Sequence, residues 1–563
     1  MRSLIARFTQ ASSHRGWLVN ASIAAALVTL PVLSVFWLAL FPSKNIWPHL
    51  IETVLPHYIL TTLGLMTGVG ILAASMGILC AWLVSTYHFP GRRLFEWALL
   101  LPLAMPAYVI AYVYTDILEY AGPIQGALRE LFGWKTPRDY WFPPIRSLGG
   151  AIWMLGLVLY PYVYMLTRAS FLEQSLNIRD ASRTLGCSSL QSFWRISLPM
   201  ARPAIAVGLA LVLMETLNDF GTVDYFAVKT LTAGIYDTWL NMSNLGGAAQ
   251  IASLMMLFVV VLIVLERYAR QRQRQFQQGD RFKALPLTAL RGWPKWLATL
   301  ACILPIIFGF LIPLAILLRY AIRNFEKSWT PDFINHALHS FGLSITAALL
   351  CVLLGLLITY AKRLHQHPLL NSLSQIATLG YAMPSAVLAI GVMIPFSTFD
   401  NALDAWMRQT FNVSTGLLLS GSLVAVLFAY SVRFLAVAAG SLESSLGKIT
   451  PSMDMAARSL GHNSLTTLYR VHLPLIKGGL LTGMLVVFVD CMKELPATLI
   501  LRPFNFDTLA THVYQYASDE RLPEASLAAL LIVLVGIIPV ALLSRTIAAT
   551  REHQIIQLPH TGK

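Results

Sequence analysis

Two polar segments of this chain, 275 residues apart, repeat one pattern. The first runs Asp180-Ala181-Ser182, then Gly186, then Ile196-Ser197-Leu198-Pro199. The second runs Met455-Ala456-Ala457, then Gly461, then Val471-His472-Leu473-Pro474. Each interrupts sequence of membrane-spanning character, so the fold must present the same polar element twice outside the bilayer, at about 176–200 and about 451–475.

The membrane-spanning character follows from composition. With 56% apolar residues, 12% charged residues and a mean hydropathy of +0.63, a soluble globule is excluded. Twelve apolar runs are long enough to cross the hydrocarbon as helices: 17–41, 57–86, 95–115, 148–167, 203–222, 246–266, 296–318, 340–361, 372–397, 415–440, 478–500 and 525–544. The expected fold is therefore all-α and polytopic, with about twelve transmembrane helices and the lipid bilayer as solvent. The first run exceeds a secretory apolar region and no small-residue cleavage pattern follows it, so it is expected to be a mature helix.

The halves align well beyond the polar segments. Gly64-Leu65 matches Gly342-Leu343 and Met105-Pro106 matches Met383-Pro384 at an offset of 278, while Glu215 matches Asp490 and Asp219 matches Glu494 at 275. A few residues gained or lost in loops account for the difference. The Gln-rich stretch 267–295, with Pro286 and Pro294, reads as a linker between a first repeat at 1–266 and a second at 296–563. Six spans per half return the chain to its starting side, so the repeats are parallel and related by a pseudo-two-fold axis along the membrane normal. Of the 41 Lys and Arg, about 27 fall on the side of both termini and both polar segments and about 12 opposite, with Arg433 and Lys493 inside spans. That bias places both termini and both segments in the cytoplasm. It also accounts for most of the +14 charge without nucleic acid, because no soluble segment is large enough to form a basic binding face.

Each polar segment reads as a short helix, a turn at Gly186 or Gly461, and a second helix leading to Pro199 or Pro474. This pattern resembles the cytoplasmic EAA loop of binding-protein-dependent ABC transporter permeases. The resemblance implies a type I, MetI-like permease fold in tandem, in the inner membrane. It also implies loops whose residues Asp180, Ala181, Ser182, Gly186, Ile196, Leu198 and Pro199, and Met455, Ala456, Ala457, Gly461, Val471, Leu473 and Pro474, couple to a cytoplasmic ABC ATPase dimer. A periplasmic substrate-binding protein is the other implied partner. The chain departs from the pattern where Met455 replaces an acid, with Asp454 one residue earlier, and where Ser182 replaces an alanine. It carries no phosphate loop of its own: Ile449 follows Gly447-Lys448, and Leu442 stands where a glycine is needed. ATP and magnesium then belong to the partner subunit, and no cofactor is expected here. Cys80, Cys187, Cys302, Cys351 and Cys491 lack ligand spacing and read as small apolar residues, so no metal site is assigned.

Two spans carry acids four residues apart, Glu215 with Asp219 and Asp490 with Glu494, a spacing that puts each pair on one helical face. They mark a candidate translocation path; the alternative is that they cap helix ends or pair with Lys493 and Arg433. Carboxylates favour a hard cation and repel sulfate or molybdate. Residues 493–510 and Asp219-Phe220-Gly221-Thr222-Val223 with Tyr225-Phe226 resemble ferric-iron ABC permeases, which implies iron(III) as cargo moved by alternating access. Thiamine and aminoethylphosphonate permeases share the fused plan, and an ion-coupled secondary transporter is the alternative of another class. Tyr225, Tyr236, Tyr514 and Tyr516 are either phenolic donors or an interfacial belt. Pro106 and Pro384 are expected to break or kink their spans beside the path, and Gly64-x-x-x-Gly68 to admit a neighbouring helix. The segment Trp134 to Pro144 lies outside, as a docking element or an interfacial anchor.

Overall fold

The computed structural model describes residues 2–42, 44–174, 188–271, 287–364 and 368–556. Among them, eleven helices are long and apolar enough to span a membrane, and a twelfth span results if Arg92–Ala104 and Ala107–Phe132, bent by 88°, count as one. The run 95–115, expected as a single span, is thus two arms around Met105-Pro106. Proline removes a helical donor and drives the preceding residue out of the α region, and Met105 is extended at φ −91°, ψ 117°. The second half repeats the device. Pro106 and Pro384 precede their helices with nearly identical angles, φ −61°, ψ 138° and φ −60°, ψ 138°.

The chain forms two compact units, and these interleave the sequence repeats. One comprises Met1–His49, Ile235–Met256 and Pro331–His512; the other comprises Leu50–Gly234, Leu257–Thr330 and Val513–Lys563. Each first span therefore packs on the core of the other repeat. In the former unit the helix Arg2–Leu40 lies along Ser385–Phe411, with Ser34 Oγ donating to Gly391 O at 2.6 Å. A Cβ on Gly391 would collide with the Pro31 backbone. In the latter unit Pro294–Ile306 and Ile312–Arg323 pack on Leu55–Thr86, Ala107–Leu118 and Leu522–Ile556, and Tyr114 Oη donates to Phe308 O at 2.7 Å.

Both units share a three-helix core: Leu55–Thr86, Leu148–Glu173 and Leu198–Asn218 in one, and Pro331–Leu364, Leu423–Leu446 and Leu473–Met492 in the other. Without a hydrophobic drive between helices in lipid, close backbone approach supplies the packing. Matching glycines provide it. A Cβ on Gly208 would lie 2.9 Å from Val163 Cα, and one on Gly483 would lie 3.6 Å from Ala438 Cα and 3.1 Å from Ser441 Cβ. Gly68 similarly admits Ile152 of the helix Leu148–Glu173. We expect Gly208→Leu to destabilise the protein by about 1–3 kcal/mol, because its neighbour is backbone that cannot move aside. Gly342→Ala, which meets nothing within 4 Å, should leave the detergent-solubilised thermal midpoint unchanged.

Two short strands, Tyr87–His88 and Thr288–Ala289, pair in parallel and hold the chain just after residues 272–286, which lie outside the described residues with most of the linker.

Candidate functional site: the polar loops and the broken spans

Of the first loop's expected residues, Asp180, Ala181, Ser182 and Gly186 lie outside the described residues. From Ser188 onward the loops run in parallel. Ser188 caps a four-residue helix, accepting from Gln191 N at 3.3 Å while its own N–H donates to Gln191 Oε1 at 3.0 Å. Asn463 caps the corresponding turn, accepting from Thr466 N at 2.8 Å. Each turn then widens into a π-turn, Phe193–Ser197 or Leu468–His472, before its long helix starts at Leu198 or Leu473. Pro199 and Pro474 cannot donate to the carbonyl four residues back, which favours this wider turn. Ile196 and Val471 lie within the π-turns, and Leu198-Pro199 and Leu473-Pro474 open the spans.

The second loop is described throughout. The helix Pro451–Ser459, which carries Met455, Ala456 and Ala457, ends at Gly461, whose φ of +82° demands glycine. Its underside is fixed. Ala457 is buried, and Asp454 accepts from Arg363 Nε at 3.1 Å and bonds His472 Nε2 at 2.6 Å. Arg363 also donates to Leu446 O at 2.6 Å and Ile449 O at 2.9 Å, and Tyr360 Oη donates to Ser464 O at 2.7 Å. Below them Leu442, Leu446, Ile449 and Ile476 form an apolar cluster. The upper face is different: Met455 is 63% exposed, Leu460 77%, Leu465 59% and Tyr469 75%. Among the described residues nothing covers these four, so a fixed mount presents an apolar face. The acid offset by one residue from the loop pattern thus faces inward, as part of the mount.

The acids in the spans stand at helix breaks. Leu198–Asn218 ends just before Asp219, and Leu473–Met492 ends before Lys493, so the single helical face expected for each acid pair is interrupted between its members. Asp219 turns its carboxylate onto the next short helix, accepting from Thr222 N at 3.0 Å, Val223 N at 3.2 Å and Thr222 Oγ1 at 3.0 Å. Aspartate competes with the helix ladder in this way, which ends the span. Glu494 accepts from Ala497 N at 3.2 Å, the matching position, and there Pro496 completes the break. Glu215 occupies the last turn before the first break, and Asp490 pairs with Lys493 at 2.9 Å.

The halves differ in charge at these breaks. Arg433, on Leu423–Leu446, reaches Glu494 Oε2 at 3.6 Å and also donates to Met383 O and Ser385 Oγ. One buried cation thereby ties the break at Pro384 to the break at Pro496. Val158 stands at the corresponding place in the first half, and Asp219 relies on neutral donors.

The four tyrosines separate. Tyr236 Oη donates to Pro496 O at 2.6 Å and braces the second break; Tyr516 stacks with Arg521; Tyr225 packs edge-on to Tyr112, and Tyr514 donates to Asp224, beyond the end of Leu198–Asn218 remote from the polar loop. Tyr112, buried beside Tyr225, escaped sequence reasoning because it lies in an apolar run without a matching residue in the other half. The segment Trp134 to Pro144 folds on itself, with Trp134 stacked on Tyr140 at 4.7 Å and Asp139 capping Lys135 N and Thr136 N, both at 2.8 Å.

A family described as binding-protein-dependent transport system inner membrane component matches residues 73–275 and again 351–551. The Fe(3+)-transport system permease protein FbpB 2 of Haemophilus influenzae is 26% identical over 488 residues, 86% of this chain and 88% of its own. The ferric transport system permease protein FbpB of Actinobacillus pleuropneumoniae is 24% identical over 522 residues, covering 85% and 72%. The molybdenum transport system permease protein ModB of Haemophilus influenzae is 26% identical over 216 residues, 36% of this chain and 89% of its own.

Proposed function

The chain belongs to the binding-protein-dependent transport system inner membrane components, and from that premise we propose that it is the permease of an ATP-driven importer of iron(III). The observation that carries the cargo is the extent of the relationship: relatives named for ferric transport align over most of both repeats, whereas the molybdenum permease aligns over a single repeat's length. Acids at both span breaks support the same sign of cargo, since hard cations take oxygen ligands.

In this reading both termini and both polar loops face the cytoplasm. The apolar face of Met455, Leu460, Leu465 and Tyr469 docks in a cleft of one ATPase subunit, and the first loop docks in the other. ATP binds and is hydrolysed on those subunits, and this chain holds neither nucleotide nor magnesium. Closure of the ATPase dimer pushes on the two loops, a path opens outward, and iron delivered by a periplasmic binding protein enters. The breaks at Pro106, Pro384, Asp219 and Glu494 furnish irregular backbone where cargo passes, a placement tolerated at membrane depth only inside protein.

The test is uptake of labelled iron, thiamine and aminoethylphosphonate into vesicles holding the permease, its ATPase and the binding protein. Iron accumulation that requires ATP and the binding protein is expected. Accumulation of another cargo overturns the iron assignment, and uptake driven by an ion gradient without ATP overturns the importer class.

A further inference from the structure

Residues 133–147 close a hairpin between the helices Pro123–Phe132 and Leu148–Glu173, all within one compact unit. The hairpin holds itself together. Phe132 stacks on Trp134 and Trp134 on Tyr140, each at 4.7 Å, while Tyr140 Oη donates to Gln125 Oε1 at 2.5 Å and Arg129 donates to Tyr120 O at 2.8 Å. That frame leaves Leu131 and Trp141 outside it, 76% and 84% exposed, and Phe132 is exposed as well. Lys135 and Arg138 are exposed between them, whereas Asp139 turns its carboxylate onto the backbone N–H groups of Lys135 and Thr136.

The following span fixes the depth of this hairpin. Leu148–Glu173 has 26 residues, so at an ordinary tilt of about 20° it rises about 37 Å. The hydrocarbon is about 30 Å thick, and a centred span overshoots it by only about 4 Å at each end. Ser147, which caps the span at the end remote from the polar loop, then lies in the headgroup layer. Trp153, less than two turns into the span, is exposed, so lipid-facing surface reaches up to this end. A docking surface for a soluble protein must stand clear of the headgroups, and this hairpin is joined directly to a residue level with them. Its composition agrees: tryptophan and tyrosine with flanking cations mark the membrane interface, whereas the cores of protein interfaces are depleted in lysine.

We propose that residues 123–146 are seated in the leaflet opposite the polar loops, with Leu131, Phe132 and Trp141 among the upper acyl chains and Lys135 and Arg138 on headgroup phosphates. The other unit shows the device separately. There Leu423–Leu446 has 24 residues, Asp404 braces the preceding turn by accepting from Arg408 Nε at 2.6 Å and Thr415 N at 2.8 Å, and Trp406 and Leu417 are exposed. The first hairpin continues from Ala107–Leu118, the arm that starts at the Pro106 break, so lipid holds one end of a broken span.

The experiment places nitroxide labels at Trp141→Cys and Leu131→Cys, each in the full chain with its native cysteines replaced by alanine, in nanodiscs of phosphatidylethanolamine and phosphatidylglycerol. Collision with oxygen is expected to exceed collision with a water-soluble nickel chelate at both positions, the reverse of the result at Met455→Cys on the polar loop. A label at Arg138→Cys should be relaxed by nickel carried on a chelating lipid headgroup. Thermal midpoints equal to that of the cysteine-free protein show that the labelled chains fold. A Trp141 label as open to the nickel chelate as the Met455 label overturns the seat, and the Leu131 label decides the matter if Trp141→Cys does not fold. Immobilisation of these labels by added binding protein also overturns it, because the hairpin would then be a docking site.

Discussion

Glu494→Ala is expected to destabilise the protein by about 3–5 kcal/mol, the usual cost of leaving a buried charge without its partner. Arg433 and Glu494 are both buried, and Met383 O and Ser385 Oγ, which Arg433 also contacts, are uncharged. Most of the expressed variant should aggregate on solubilisation or melt well below the unaltered protein. Replacing both members, Arg433→Leu with Glu494→Leu, removes the orphaned charge and should recover much of that loss, because well-packed apolar residues often equal a buried pair. Thermal melts of the two single variants and the double variant form the cycle that checks this. A strictly additive double variant would show that the pair is not coupled. Asp219, which accepts from Thr222 and Val223, predicts the contrast, because Val158 stands where the second half has Arg433.

Asp454→Ala is the second change with a large expected effect, and here the loss is in transport more than in stability. The carboxylate joins the helix Pro451–Ser459 to Arg363 at the end of one span and to His472 at the start of another. Asp454 is partly exposed, so the pairs are worth less than fully buried ones, and about 1–2 kcal/mol of stability should go. Arg363 keeps Leu446 O and Ile449 O, and the protein should still insert. A helix no longer tied to two spans transmits little motion, and ATP-dependent uptake in vesicles is expected to fall more than about tenfold, a loss of some 1.4 kcal/mol or more in coupling. Asp454→Glu should restore part of the uptake. Uptake matching the unaltered protein would show that force enters elsewhere.

Much of the architecture was legible in the sequence because it is local or repeated. Apolar run length gave the spans, and Met105-Pro106 with Met383-Pro384 gave both breaks, since proline acts on its own and the preceding residue. The loops were visible through Gly461, Leu473 and Pro474 for the same reason. The role of Asp454 was not, since its partners Arg363 and His472 lie far away in the chain or across a turn. Helical spacing misled at Glu215 with Asp219 and at Asp490 with Glu494, where side-chain capping and Pro496 end the helix inside the interval. Tyr112 carries no signal in an apolar run until folding sets it against Tyr225. The exchange of first spans between repeats is likewise invisible to periodicity, which records which face a helix buries and not against whom.

That exchange imposes an order on biogenesis. While the ribosome is still making the second repeat, the nascent core around Leu55–Thr86 waits for Pro294–Ile306 and at last Leu522–Ile556, and the helix Arg2–Leu40 waits for Ser385–Phe411. Each unit draws on both halves of the chain, so neither half of the coding sequence, translated alone, yields a finished unit, and covalent fusion keeps each repeat beside its own counterpart.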